Sequence, residues 1–190
     1  MDNDRLTATR ERANRAGVAA FGGDWRPDRS AIAPGRIELL GNHVDYNGGP
    51  VLCAAIDRSV VVLADAAGEP DEIAAAAADA PALGILRAPA VAGDWRNPTP
   101  PPQPFDYVRG SIAAAGQKDL PVRAGTRLAI AGDVPIGFGL SSSAALCVGL
   151  ALASLEQRPP FADLVLLAQD AEHRAGAPCG TMDQSASVAG

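Results

Sequence analysis

The stretch from Ile130 to Ala153 constrains this chain most. It reads Ile-Ala-Gly-Asp-Val-Pro-Ile-Gly-Phe-Gly-Leu-Ser-Ser-Ser-Ala-Ala-Leu and then runs on as an apolar tail. The pattern predicts a strand over Leu128 to Ala131, a glycine-rich loop, three hydroxyls and a helix opening near Ser142. Such a loop leaves several backbone N–H groups facing one spot at a helix N-terminus, where the helix dipole favours an anion. Gly137 and Gly139 lack a Cβ, so a phosphate can approach the backbone closely. Walker-type phosphate binding is excluded, because it needs Gly-Lys-Ser/Thr and the only lysine, Lys118, lies in another segment. A dinucleotide fingerprint fits poorly, since Ser142 stands where its third glycine belongs. The plainer alternative is a buried helix capped by serine after a glycine turn. The triple serine weighs against it, because hydroxyls suit both phosphate and a hydrated cation.

At 190 residues the chain is long enough for one hydrophobic core, and a single domain over 1–190 is expected. A net charge of −6, with no basic cluster, argues against a nucleic-acid surface. Cys53, Cys147 and Cys179 are odd in number and far apart, so neither a disulfide framework nor a zinc pattern follows. The charged N-terminal segment has no apolar signal region, and the run Ala144 to Ala153 is too short to span a bilayer. A cytoplasmic protein with no membrane partner is the expectation. The sequence leaves the oligomeric state open.

Taken in order, Leu6 to Phe21 reads as a surface helix ended by Gly22-Gly23. Ser30 to Ala33 reads as a short strand broken by Pro34-Gly35, and Arg36 to Gly41 as an alternating strand. In the latter Ile37 and Leu39 share one face, Arg36 and Glu38 the other. Asn42 to Gly49 reads as a hairpin loop turned at Asn47-Gly48, although an Asn, a His and an Asp crowded after a strand Arg also suit sugar hydroxyls. Strands are expected over Val51 to Ile56, Arg58 to Ala64 and Arg123 to Ala131. The alanine-dense Glu72 to Ala80 is compatible with helix or strand. Asn97 to Pro104 is a proline-rich surface loop. Phe105 to Ala115 is a helix with Tyr107, Val108, Ile112 and Ala115 on its inner face, Tyr107 serving core packing. In the helix Phe161 to Ala175, Phe161, Val165, Ala168 and Glu172 fall on one stripe, which puts Glu172 at the solvent margin or against something positive. His173 points elsewhere and reads as structural. A last helical stretch follows Gly180.

Pro135 to Ala144 resembles the phosphate-loop motif of the GHMP small-molecule kinases, and the triple serine looks most like the galactokinase branch. Ala33-Pro-Gly-Arg-Ile-Glu-Leu-Leu-Gly-Asn-His-Val-Asp-Tyr-Asn-Gly-Gly49 resembles the galactokinase signature. Ala171 to Gly180 looks like the family segment whose Glu binds magnesium, and Gly180-Thr-Met-Asp-Gln184 like its Gly-x-Met-Asp-Gln pattern. The resemblance implies Asp183 as catalytic base and Arg36 beside the transferred phosphoryl. It implies Asn42, His43, Asp45 and Gly180 as sugar-binding, with Gly137, Phe138, Gly139, Leu140, Ser141, Ser142 and Ser143 holding ATP. Ser143 and Glu172 would hold Mg2+. Asn42 departs from the pattern, because the family usually carries Glu there. An amide loses the charge and adds a donor, which puts galactose itself in doubt more than sugar-kinase chemistry.

The fold implied is α/β (α+β, two-layer): a GHMP kinase N-terminal domain with a mixed β-sheet and helices packed on one side. The expected absence of the family's second domain leaves open a fragment, a truncated reading frame or a natural short form. The implied reaction is transfer of the ATP γ-phosphoryl to a hydroxyl, anomeric or other, of galactose or a related small-molecule sugar. The alternatives are a kinase acting on another small alcohol, or a non-catalytic sugar- or nucleotide-binding module.

Overall fold

The computed structural model describes residues 3–41, 44–99 and 101–190. Helix α1 (Asn3–Phe21) leads into the long strands β1 (Arg29–Leu40) and β2 (Leu52–Asp65). The short strands β3 (Glu72–Ala77) and β4 (Ile85–Pro89) follow, then α2 (Pro104–Gln117), β5 (Arg127–Gly132), α3 (Ser142–Ser154), α4 (Phe161–Ala175) and α5 (Met182–Ala189). The sheet order is β1-β2-β5-β3-β4, with β3 parallel to β5 and the other neighbours antiparallel. The mixed sheet with packed helices is the expected fold.

The period of two along the strands sorts their side chains into two cores. Val60, Val62 and Ala64 of β2, with Leu128 and Ile130 of β5, face the larger one, built with α2, α3 and α4. Val61, Leu63, Ala129 and Ala131 face the other way, onto Ala13 of α1 and Trp25. The helices are therefore not all on one side, since α1 alone covers the second face. At the end of that face the cross-strand pair Asp65 and Arg127 is buried, Arg127 Nε donating to Asp65 Oδ1 at 2.8 Å.

Three local expectations change and one open choice closes. Pro34-Gly35 does not end a strand. β1 runs through it with a register shift, Pro34 opposite Ser59 and Arg36 opposite Ala55. Proline is tolerated because β1 is an edge strand whose outer side needs no ladder bond there. β2 is likewise continuous across Asp57. The alanine-dense segment is a strand, β3, because both its neighbours pair with it and it is buried, which overrides alanine's helix propensity. β5 starts at Arg127 rather than Arg123, the preceding turn being closed by Thr126 Oγ donating to the Arg123 carbonyl at 2.6 Å. No helix among the described residues is long and apolar enough to cross a membrane.

Candidate active site

The glycine-rich loop leaves β5 at the same end of the sheet as the outer half of β1. Gly137 and Gly139 have φ of +81° and +68°, and a Cβ built on either would meet nothing within 4 Å. The backbone here is left-handed and open in front. Ser141 precedes α3 as its N-cap residue, yet it makes no capping hydrogen bond. Its hydroxyl instead donates to Asp183 Oδ2 at 2.6 Å. The serine-capped alternative is thus not what Ser141 does, and the first N–H groups of α3 have no intrahelical partner. Ser142 and Ser143 are half-buried in the first turn, Leu140 is half-buried beside them, and Phe138 is exposed at the loop tip.

Arg36 and Asp183 meet although they lie at opposite ends of the sequence. Arg36 Nε donates to Asp183 Oδ1 at 2.9 Å and Nη2 reaches the same oxygen at 2.6 Å. Arg36 Nη1 donates to the Gly139 carbonyl at 2.5 Å, and its backbone N–H to the Leu140 carbonyl at 3.1 Å. Both side chains keep some access to solvent, 12% for Arg36 and 21% for Asp183. One carboxylate oxygen is therefore held by the guanidinium and the other by Ser141, and the same guanidinium is tied to the loop.

Asp45 opens a single 3-10 turn, Asp45–Asn47, which ends at Gly48 with φ of +76°. Its carboxylate lies against Gly180, where a Cβ would overlap Asp45 Oδ2. Only glycine allows that approach. Asp45 and Gly180 are thereby brought to the N-terminus of α5, one turn from Asp183. Asn42 and His43, the other two expected sugar-binding residues, lie outside the described residues.

Glu172 is 2% exposed, so it is not at the solvent margin, and no cation faces it among the described residues. Phe161, at the head of the same stripe, is 53% exposed, so the stripe is buried only from Val165 onward. Gln184 Nε2 donates to Glu172 Oε2, and the Cys179 thiol lies 3.7 Å from that oxygen. The Ser143 hydroxyl lies near the Glu172 carboxyl and the Tyr107 hydroxyl, close enough to favour their ionised forms. Burial raises the Glu172 carboxyl above its ordinary range, the neutral donors offsetting only part of the cost. Burial likewise pushes the Tyr107 hydroxyl and the Cys179 thiol up to about 12. A buried carboxylate beside a serine hydroxyl, with no positive partner, is a donor set that suits a hard divalent cation. Ser143 and Glu172 thus fit Mg2+. His173 turns its Nε2 to the Cys179 carbonyl, 2.9 Å away, in keeping with a structural part.

Two participants escaped the sequence reading. Tyr107 packs against the core as expected but also reaches Ser143. Gln184, next to Asp183, is fully buried and turned toward Glu172. Its only signal in the sequence was its place in the Gly-x-Met-Asp-Gln pattern, which assigned it no role.

Residues 18–66 match the galactokinase galactose-binding signature and residues 106–190 the N-terminal domain of the GHMP kinases. Galactokinases of Chloroflexus aurantiacus and Chloroflexus aggregans are each 39% identical over 166 residues, which is 83% of this chain and 40% of each relative. The crystal structure of Lactococcus lactis galactokinase complexed with galactose superposes with a TM-score of 0.76 at 26% identity, over 97% of this chain and 46% of that one. Methanococcus jannaschii mevalonate kinase shares the fold, with a TM-score of 0.69 at 18% identity over 88% of this chain and 52% of that one. The chain therefore spans about 40% of the length of the curated relatives it matches.

Proposed function

Because this chain belongs to the GHMP kinase family, with galactokinases among its relatives, we propose that it is the nucleotide- and sugar-binding domain of an ATP-dependent sugar kinase. The domain covers residues 1–190. The substrate class is a hexose, galactose or a close relation, bound as a small molecule by a cytoplasmic protein. The observation that carries this reading is the convergence of Arg36, Ser141 and the Gly139 carbonyl around Asp183.

The chemistry follows from those contacts. Asp183 is held through both oxygens: Oδ1 takes both Arg36 contacts, while Oδ2, bonded only to Ser141, keeps the lone pair that can accept a sugar hydroxyl's proton. Arg36 remains close enough to the loop to meet negative charge growing on the transferred phosphoryl group. The phosphates lie against the open face of Gly137 to Ser143, at the uncapped start of α3. Asp45, set by its contact with Gly180, presents a carboxylate to sugar hydroxyls, with Asn42 and His43 as further ligands. Glu172 and Ser143 would hold Mg2+, which would neutralise phosphate charge. Asn42, where galactokinases usually carry Glu, tunes which sugar is accepted.

The test is calorimetry of Mg-ATP on the 190-residue chain. Gly139→Val places a branched side chain at a left-handed position on the open face, and saturable ATP binding is expected to disappear while the domain stays folded. Unchanged ATP affinity in the folded variant would remove the loop from the site. Binding of ATP and galactose without transfer of phosphoryl in single-turnover assays of a kinase-length protein would favour the binding-module alternative.

A further inference from the structure

Gln184 is an unusual residue to find fully buried, and its two amide ends have different fortunes. Nε2 donates to Glu172 Oε2 and also lies 3.2 Å from Cys179 Sγ. Oε1 is buried and has no hydrogen-bond partner among the described residues. This orientation is the one that suits the ionised carboxylate, which only accepts: the NH2 end faces Glu172 and the carbonyl end faces away. An orphaned buried carbonyl is destabilising, and a position serving only to fill the core would be better occupied by leucine or methionine. The amide is retained where its sole strong contact is with Glu172.

We propose that Gln184 is a positioning residue, whose amide fixes the Glu172 carboxylate in the orientation that meets the cation of the nucleotide complex. The inference rests on Glu172 being a cation ligand, as proposed above. The placement also gives α5 a double duty. Asp183 and Gln184 are consecutive, so one turn of helix carries the carboxylate paired with Arg36 and the clamp on the second carboxylate. Asp183 and Glu172 are near enough for the charge of one to disfavour that of the other. A neutral donor stabilises the ionised Glu172 without competing for its site as a lysine or arginine would.

The experiment uses the 190-residue chain with a non-hydrolysable ATP analogue and Mn2+ as a paramagnetic probe of the cation site. Orthogonal partners of metal ligands typically set about 10–100-fold of metal affinity. Gln184→Met keeps the length of the side chain and removes the donor, and is expected to weaken Mn2+ binding by about tenfold or more. Affinity for the analogue in chelator should stay within about twofold, because the hydrogen bonds of the Gln184 side chain go to Glu172 and Cys179 and not to the phosphate loop. Gln184→Asn, which keeps the amide but falls short of Glu172, should show the same loss and carries the test if the Met variant is not folded by thermal melting. If a folded variant binds Mn2+ as the wild type does while Glu172→Gln does not, Gln184 only brackets two helices and the proposal is overturned. A parallel loss of metal-free analogue binding overturns it too, since that marks general distortion. If Glu172→Gln itself leaves Mn2+ affinity unchanged, the ligand assignment beneath the proposal fails, and the proposal with it.

Discussion

Asp183, in the first turn of α5, and Glu172, in the last turn of α4, both lie near the serines that open α3, and they are treated in opposite ways. Asp183 is partly exposed and electrically complete, with Arg36 on one oxygen and Ser141 on the other. Glu172 is buried among neutral groups: the Gln184 amide, the Ser143 hydroxyl and the Cys179 thiol. A carboxylate that already has its counter-charge needs no ligand to be stable, and it is free to take part in proton transfer. A carboxylate buried without one is incomplete until a cation arrives. The pair separates two roles within one fold, and the separation is set by surroundings rather than by residue type.

The largest expected effect comes from making the first carboxylate neutral. Asp183→Asn keeps the shape and the Arg36 contact, and should lower sugar-dependent ATP turnover of a kinase-length protein by about two to four orders of magnitude. Turnover near wild type would reassign the base. A smaller break comes from the Ser141 side. Ser141→Ala removes one charge-assisted hydrogen bond, worth about 1.5–3 kcal/mol, and turnover should fall by about tenfold or somewhat more with sugar affinity little changed. A loss confined to KM would instead place Ser141 in ground-state binding.

The sharpest distinction between the two carboxylates is their response to pH in chelator. The Glu172 carboxyl is raised in the folded chain, so the native state keeps a proton that the unfolded chain gives up above the ordinary glutamate value of 4.5. Its contribution to stability is therefore present at low pH and is lost as pH rises from that value toward the folded one, with a slope of at most about 1.4 kcal/mol per pH unit. Thermal unfolding from mildly acid to neutral pH should show this fall in the wild-type chain and a flatter profile for Glu172→Gln. Added Mg2+ with ATP should oppose the fall in the wild type alone. Equal slopes for the two proteins would mean that Glu172 is already compensated.

The glycine loop, the boundaries of α4 and the segment bearing Asp183 were legible in the sequence because each is a local pattern: glycines and hydroxyls before a helix, a 3.6-residue stripe, an acidic first turn. The rest depends on pairing across the chain. Ala74 and Ala75 become strand only because β5 and β4 flank them. The five residues of β4, missed entirely, are too short to show a convincing alternation, though Leu86 and Ala88 do point inward. The burial of Glu172 was hidden by the exposed Phe161 that heads its stripe. The contact of Asp45 with Gly180 joins two distant turns, and nothing local announces it. In the outer half of β1 the usual expectation is reversed: Ile37 and Leu39 are exposed while Arg36 and Glu38 are more sheltered, because this half extends past β5.

That reversal has a bearing on how the chain behaves in a test tube. β1 is an edge strand, and its outer half carries Ile37, Leu39 and Leu40 in contact with water. Exposed apolar edges of this kind invite pairing between molecules. The hydrogen bond from the Arg36 N–H to the Leu140 carbonyl ties one residue of that strand to the glycine loop. Ile37, Leu39 and Leu40 beyond it stay open, so this half of β1 is where copies of the chain in solution would stick together first.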